Sequence, residues 1–284
     1  MIFPPSRRRR LSRIGLWPAI VFLLLNPLAL EAGESPAVRD DKAALAAVIA
    51  GNHRSTQDRE RDRYRHPLDT LVWFGIHQRM TVVEVWPGGG WYTDILAPFL
   101  RDQGRYYAAV AGSSKAFKEK IAAKPPLNGG VVITELNPPH RMTIAPENSA
   151  DMVVTFRNVH NWMDAGYAAE VFIAMKRALK PGGILGLVEH RGRATAAQDP
   201  RARSGYVTEA YVIELAQNAG LRLIGRSEIN ANPEDTKDYP KGVWTLPPTL
   251  ILGETDREKY LAIGESDRMT LKFLRPVDPL SNTR

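Results

Sequence analysis

The 284-residue sequence predicts an α/β fold, a largely parallel sheet covered by helices on both faces. From Thr81 onward, short β-branched runs alternate with amphipathic stretches of roughly ten to fifteen residues, the pattern of strand–helix–strand units. The first such run ends in three consecutive glycines before a helical stretch. The composition, 44% hydrophobic and 24% charged, is that of one ordinary globular domain and excludes a disordered, collagen-like or polytopic membrane protein.

The elements follow in order. Thr81 to Val85 is the first expected strand, ending at Trp86, Pro87 and Gly88 to Gly90. Tyr92 to about Leu100 reads as a helix, Arg105 to Val110 as a strand, Lys115 to Ala123 as a helix and Val131 to Thr134 as a strand. Met152 to Phe156 is the next strand. Ala165 to Leu179 reads as one amphipathic helix closed by Lys180, Pro181 and Gly182, with Ile184 to Val188 as the strand after it. Thr208 to Asn218 is helical, with Gly220 at its end. No helix of comparable length separates Leu221–Ile229 from Met269–Leu274, so the last strand is expected antiparallel, at or near the sheet edge. The intervening stretch opens with NANPEDTKDYPKGVWTLPP and reads as a lid over a site, or as a surface extension anchored by Trp244 and Leu246. Within it, Asp256 to Ile263 forms a short helix with Thr255 as its cap and Gly264 at its end.

Upstream of the sheet, Arg54 to Arg65 places an acid three residues before an arginine three times: Asp58 and Arg61, Glu60 and Arg63, Asp62 and Arg65. Such pairs share a helix face, which predicts a solvated helix. The extreme N-terminus has the order of a secretory signal peptide. SRRRRLSR precedes an apolar run from Ile14 to Leu30, with a cut expected after Ala32. An uncleaved anchor is the alternative, at the short end for a bilayer span. Either way the arginine cluster stays cytoplasmic and the rest of the chain is expected in the periplasm, the membrane being touched only through that segment. Ser6-Arg7-Arg8 also fits a twin-arginine export signal loosely. Five arginines and one acid fall within the first thirty-two residues, so without them the net charge drops from +7 to +3. The basic excess is therefore largely a tail, and no nucleic-acid partner is expected. The absence of cysteine does not discriminate between compartments.

Three segments, VVEVWPGGGWYT at Val82 to Thr93, ADMVV at Ala150 to Val154 and LKPGGILGLVEH at Leu179 to His190, resemble the class I S-adenosylmethionine-dependent methyltransferases. The likeness spans about Thr81 to Leu274. RHPLDTL, PGGGWYT, NANPEDTKDYPKGVWTLPP and GESDRMTLKF resemble, more narrowly, a group of bacterial methyltransferases with export signals. The resemblance implies a Rossmann-like, seven-stranded, mostly parallel sheet with an antiparallel last strand. It divides the chain into a signal peptide (1–32), an N-terminal helical cover (33–80) and a methyltransferase domain (81–284) with an insertion at 230–268. It implies S-adenosylmethionine as cofactor and a small-molecule or unknown methyl acceptor. Glu84, Gly88, Gly89, Gly90, Tyr92, Arg157 and Asn158 become the implied cofactor residues, with Glu84 orienting the loop or meeting the cofactor's amino group. Segments before the first strand often cover the cofactor in this class, which makes Tyr64, Arg65 and His66 lid candidates.

Physically, glycines after a first strand let backbone approach a ligand, and the next helix start offers free N–H groups. A nicotinamide-binding fold places a glycine loop there too, but Gly88, Gly90 and Thr93 lack the third glycine of GxGxxG. The sequence departs from the class at two places. Trp86 stands where the first glycine usually lies, and Pro87 is expected to push it into extended geometry with its indole partly filling the entrance. After the second strand, Ala111, Gly112, Ser113 and Ser114 supply no acid for the ribose hydroxyls. These two features favour the rival expectation, an exported binding or scaffold protein that keeps the fold without transferase activity.

Ligands of open parallel sheets lie beyond the carboxyl ends of the strands, which points to Arg157, Asn158, His160, Asn161 and Trp162, and to Glu189, His190 and Arg191. An oxygen or nitrogen acceptor needs a base, and His160 or His190 can serve. His160 reads alternatively as a capping or core residue, and Glu189 as a carboxylate paired with Arg191 or Arg157 rather than a substrate contact. The spacing of His160, Glu189 and His190 offers no HxxxH or HxH pattern, so no metal is expected.

Overall fold

The computed structural model describes Met1 and residues 36–113, 115–124, 127 and 130–277. Apart from Met1, the expected signal segment 1–32 lies outside the described residues, as does Ser114. Four helices precede the sheet: α1 (Pro36–Ala50), α2 (Thr56–Glu60), α3 (Asp62–Arg65) and α4 (Pro67–Phe74). Then come β1 (Thr81–Val85), α5 (Thr93–Leu100), β2 (Arg105–Val110), α6 (Lys115–Ala122), β3 (Val131–Glu135) and β4 (Ala150–Phe156). The chain continues through α7 (Val159–Ala165), α8 (Ala168–Ala178), β5 (Leu179–His190), α9 (Glu209–Asn218), β6 (Arg222–Ser227), α10 (Arg257–Ile263) and β7 (Arg268–Leu274). Among the described residues no helix is long and apolar enough to cross a membrane.

The seven strands form one sheet in the order β3-β2-β1-β4-β5-β7-β6. Strands β1 to β5 pair in parallel, and β7 runs antiparallel to both β5 and β6. β7 is therefore inserted one strand from the edge, and β6, shorter than the expected Leu221–Ile229, is the edge strand. The central strands read as unbroken apolar runs because both faces are covered. Val83 and Val85 enter one core with Val171, Phe172 and Met175 of α8, whereas Val82 enters the other with Leu71, Phe74 and Leu96 of α4 and α5. Successive strand residues point to opposite faces, so β1, β2, β4 and β5 each feed both cores.

Gly186 marks the closest approach of helix to sheet. A Cβ there would stand 2.6 Å from the ring of Phe74, itself 2% exposed and without room to retreat. Gly186→Ala is expected to destabilise the fold by about 1–3 kcal/mol through overpacking, read as a lower urea midpoint at unchanged slope.

Three expected elements are corrected. The single helix Ala165–Leu179 is two: α7 ends at Gly166 (φ 79), and α8 starts only at Ala168, so the chain turns between them. The cap of α10 is Asp256 (φ 51) rather than Thr255, and no side chain there bonds a helix amide. The run Arg54–Arg65 is not one solvated helix. It breaks at Arg61, and Arg54 and Arg65 are buried. Arg54 makes a two-pronged pair with Asp62 at 2.8 and 2.7 Å, and Arg61 reaches Glu265 at 2.6 Å, so partners further along the chain replace the expected Asp58–Arg61 and Asp62–Arg65 pairs.

Candidate active site

The strand order reverses between β1 and β4, and a cavity of about 390 Å³ lies beyond their carboxyl ends. Its floor is the loop after β1. Trp86 is left-handed (φ 51) rather than extended. Its N–H donates to Ala109 O at 2.9 Å and its indole Nε1 donates to Leu136 O at 3.0 Å, so sheet contacts at both ends hold a conformation its own backbone disfavours. The indole packs edge-on against Trp162 and lines both this cavity and a smaller hollow of about 260 Å³. That hollow, bounded by Gly112 and Asn137, has no carboxylate among its described lining residues.

A Cβ at Gly88 or Gly89 would meet nothing within 4 Å, so bare backbone opens on the cavity. At Gly90 (φ 76) a Cβ would meet Lys120 Nζ at 2.7 Å. Lys120 donates to the carbonyls of Gly89 and Gly90 and props the loop from α6. Asn158 Nδ2 donates to Val85 O at 3.0 Å and Trp86 O at 3.1 Å, tying the end of β4 to the same loop. Glu84 is buried behind it, accepting from Thr93 Oγ1 at 2.9 Å and from the Tyr106 hydroxyl, and so fixes the start of α5. Tyr92 stacks on Phe156 with ring centroids 3.5 Å apart. Of the implied cofactor residues, Gly88, Gly89, Arg157 and Asn158 line the cavity, while Glu84, Gly90 and Tyr92 support it.

Burial pushes the Glu84 carboxyl up to about 7 from 4.5, against its two hydroxyl donors. Between these values the folded chain keeps a proton that the unfolded chain has released, so this residue's contribution falls as pH rises through that window. Glu84→Gln is expected to remove a decline of about 3 kcal/mol, measured as the wild-type minus variant difference in urea stability at about pH 4 and about pH 8.

The opposite wall is carried by β5 and α7. Glu189, fully buried at the end of β5, accepts from Val159 N at 2.5 Å, from His190 N at 2.8 Å and from His160 Nδ1 at 3.0 Å. It pairs with neither Arg191 nor Arg157: Arg191 is drawn away to Asp267 and Glu228 at 2.8 and 2.7 Å. A carboxylate facing Nδ1 places the ring proton there and leaves Nε2 of His160 as the basic nitrogen of a cavity-lining ring. His190 Nδ1 shares a hydrogen bond with Ser266 Oγ, and its ring lies 5.4 Å from that of His160. Burial, then His160 and the arginines Arg268, Arg157 and Arg65, hold the His190 pKa well below the ordinary range. One ligand atom from each of His160, Glu189 and His190 lies within 4.8 Å of the others. Glu189 already accepts three N–H groups, and the guanidiniums lining the cavity oppose a dication, so the trio is better suited to proton handling than to a metal.

The insertion expected at 230–268 contributes Val243, Trp244, Pro247, Pro248 and Thr249 to the cavity wall, with Trp244 edge-on to His160 at 6.0 Å. Of the lid candidates, Arg65 lines the cavity. Tyr64 and His66 do not, although Tyr64 O accepts from Arg268 Nη1 at 3.1 Å. Arg61, Trp91 and Asp58 also line the site. Local sequence signalled none of these three, because each owes its place to a contact made across the fold.

No protein-family model matches the sequence, and no curated protein is similar to it. Among solved structures, the chain is similar to an S-adenosylmethionine-dependent methyltransferase from Aquifex aeolicus, with a TM-score of 0.53 and 16% identity over 82% of this chain and 98% of that one. It is also similar to the [4+2]-cyclase SpnF, with a TM-score of 0.55 and 14% identity over 85% and 96% of the two chains. Together with the sheet order, these likenesses establish the architecture. The chain has the Rossmann-like fold of the class I S-adenosylmethionine-dependent methyltransferases.

Proposed function

We propose that this protein transfers a methyl group from S-adenosylmethionine to a small-molecule acceptor, with His160 as base, after export to the periplasm through its N-terminal segment. One observation carries the reading. The side-chain-free backbone of Gly88 and Gly89 opens on the same cavity as a histidine whose Nδ1 is held by a buried carboxylate. A Cβ-free cradle with room beside it fits a donor that needs close backbone approach. When bound, S-adenosylmethionine supplies a methyl carbon whose bond to sulfur breaks with its electron pair kept on sulfur. Gly88 and Gly89 would hold it. His160 Nε2 takes the proton lost by the acceptor oxygen or nitrogen, and Glu189 steadies the imidazolium that forms. Trp244 and Pro247 shield the ring from water.

A second reading, a binding or scaffold protein without transfer, is favoured by Trp86 at the cradle and the lack of a carboxylate around Gly112. SpnF, a cyclase, also illustrates that this fold hosts other chemistry. Calorimetric titration with S-adenosylmethionine, S-adenosylhomocysteine and NADH separates the readings, and no heat with either sulfur ligand overturns methyl transfer. Export is tested by fusing residues Met1 to Glu34 to a reporter active only outside the cytoplasm. An expressed but inactive fusion overturns that part.

A further inference from the structure

The cavity is richer in positive charge than a methyl donor requires. Arg61, Arg65, Arg157 and Arg268 all line it, whereas Asp58, partly exposed, is the only acid among its described lining residues. Glu265, 2% exposed, stands behind them. It accepts from Arg61 at 2.6 Å and from Arg268, and lies 3.7 Å from Arg65 Nε. One carboxylate is thus shared by three guanidiniums, and the Arg157 guanidinium makes no hydrogen bond or ion pair among the described residues. Arg65 is 4% exposed, and its Nε is buried without a hydrogen-bond partner, as is Arg61 Nη2.

A buried guanidinium left with donor capacity unused carries a desolvation cost that a matching anion offsets. Two features hold these groups in place. The Arg65 guanidinium lies 4.5 Å from the centroid of the Trp91 ring, whose indole Nε1 is anchored to Asp58 O at 3.1 Å, so its fork is fixed in orientation. Arg157 sits on left-handed backbone (φ 61) directly after β4, with its N–H bonded to Val188 O at 2.7 Å. Burial and the neighbouring Arg157 bring the Arg65 pKa down to about 8, and burial with Arg268 brings Arg157 down to about 10, which shows how poorly compensated the pair is. A bound S-adenosylmethionine does not relieve this. Its sulfonium and ammonium outweigh its one carboxylate, so it adds positive charge to the chamber.

We propose that the cavity binds, together with the donor, an oxyanion of the methyl acceptor, a carboxylate or a phosphate group, between Arg65 and Arg157. The assignment of that anion to the acceptor rests on the methyl-transfer reading, whereas the anion site itself does not. A guanidinium fork matches either oxyanion in two-pronged geometry, which favours a small acidic acceptor over a neutral or cationic one.

The test is calorimetric titration of the full chain with inorganic phosphate and, separately, malonate, each with and without saturating S-adenosylhomocysteine. One anion is expected to bind per donor-loaded chain, and the tighter of the two probes identifies the class. Arg157→Gln is expected to weaken that binding at least ~10-fold. Arg157→Lys, which keeps the charge but loses the fork, is expected to fall between, and it carries the test if the glutamine variant does not fold. Competition between the anion and S-adenosylhomocysteine overturns the proposal, because the site would then be the donor's own carboxylate contact. Equal anion binding by the wild type and both variants, or no anion heat in any arm, also overturns it. Anion binding that depends on Arg157, with no heat from S-adenosylhomocysteine, sustains the anion site and removes the methyl-transfer reading alone.

Discussion

Gly89→Val is expected to raise the dissociation constant for S-adenosylmethionine at least ~100-fold, a loss of about 2.7 kcal/mol, while leaving thermal stability within a few degrees of wild type. The two readouts separate because of local geometry. Gly89 is not among the glycines at positive φ, so an L side chain meets no backbone strain there. A Cβ at this position also touches nothing within 4 Å, so the fold leaves room where the side chain begins. What the valine does occupy is the cradle itself, next to backbone that a donor has to approach closely. Gly88, at φ 56, is a poorer site for the experiment because strain and occlusion would act together. Calorimetry with S-adenosylmethionine, alongside a melting curve, checks the result. Unchanged affinity would show that the glycine loop is a structural turn.

His160→Gln is expected to lower the rate of methyl transfer by about 10²–10⁴ with little change in donor affinity, since the ring acts on the acceptor proton. Glu189→Gln should reproduce much of that loss. An amide facing Nδ1 no longer demands a proton on that nitrogen, and both Val159 N and His190 N lose a charged acceptor. The measurement is incorporation of labelled methyl from S-adenosylmethionine into a small-molecule extract of the producing cell, with its pH dependence. A variant as active as the wild type over the whole pH range would reduce His160 to a packing residue between Glu189 and Trp244.

The parts of the molecule that could be read from local sequence are those whose cause is local. Thr81–Val85, Arg105–Val110 and the glycine loop were legible because β-branched and aromatic runs favour strands and consecutive glycines mark a turn that needs backbone freedom. That His160 and His190 line the cavity was legible by position, since ligands of such sheets lie beyond the strand ends, whereas Glu189 stands buried behind them. Trp86 was not: the proline after it argues for extended backbone, and only the carbonyls of Ala109 and Leu136 impose the left-handed turn. The helix Val159–Ala165 was hidden because it is two turns long and begins against Glu189, a partner supplied by a different strand. The arginines before the sheet were misread for the same reason. An acid three residues ahead of an arginine is equally compatible with a solvated face and with a chain whose cations turn inward to a carboxylate 204 positions away.

That distant carboxylate also bears on the order in which the chamber is made. Glu265 gathers Arg61 and Arg65 from the segment before the first strand and Arg268 from the last, so the arginine wall of the cavity is fastened by a residue that leaves the ribosome only after six of the seven strands. Until then the nascent protein exposes a cluster of unneutralised guanidiniums around an unfinished hollow. Premature termination anywhere upstream of Glu265 therefore leaves that hollow without its clasp.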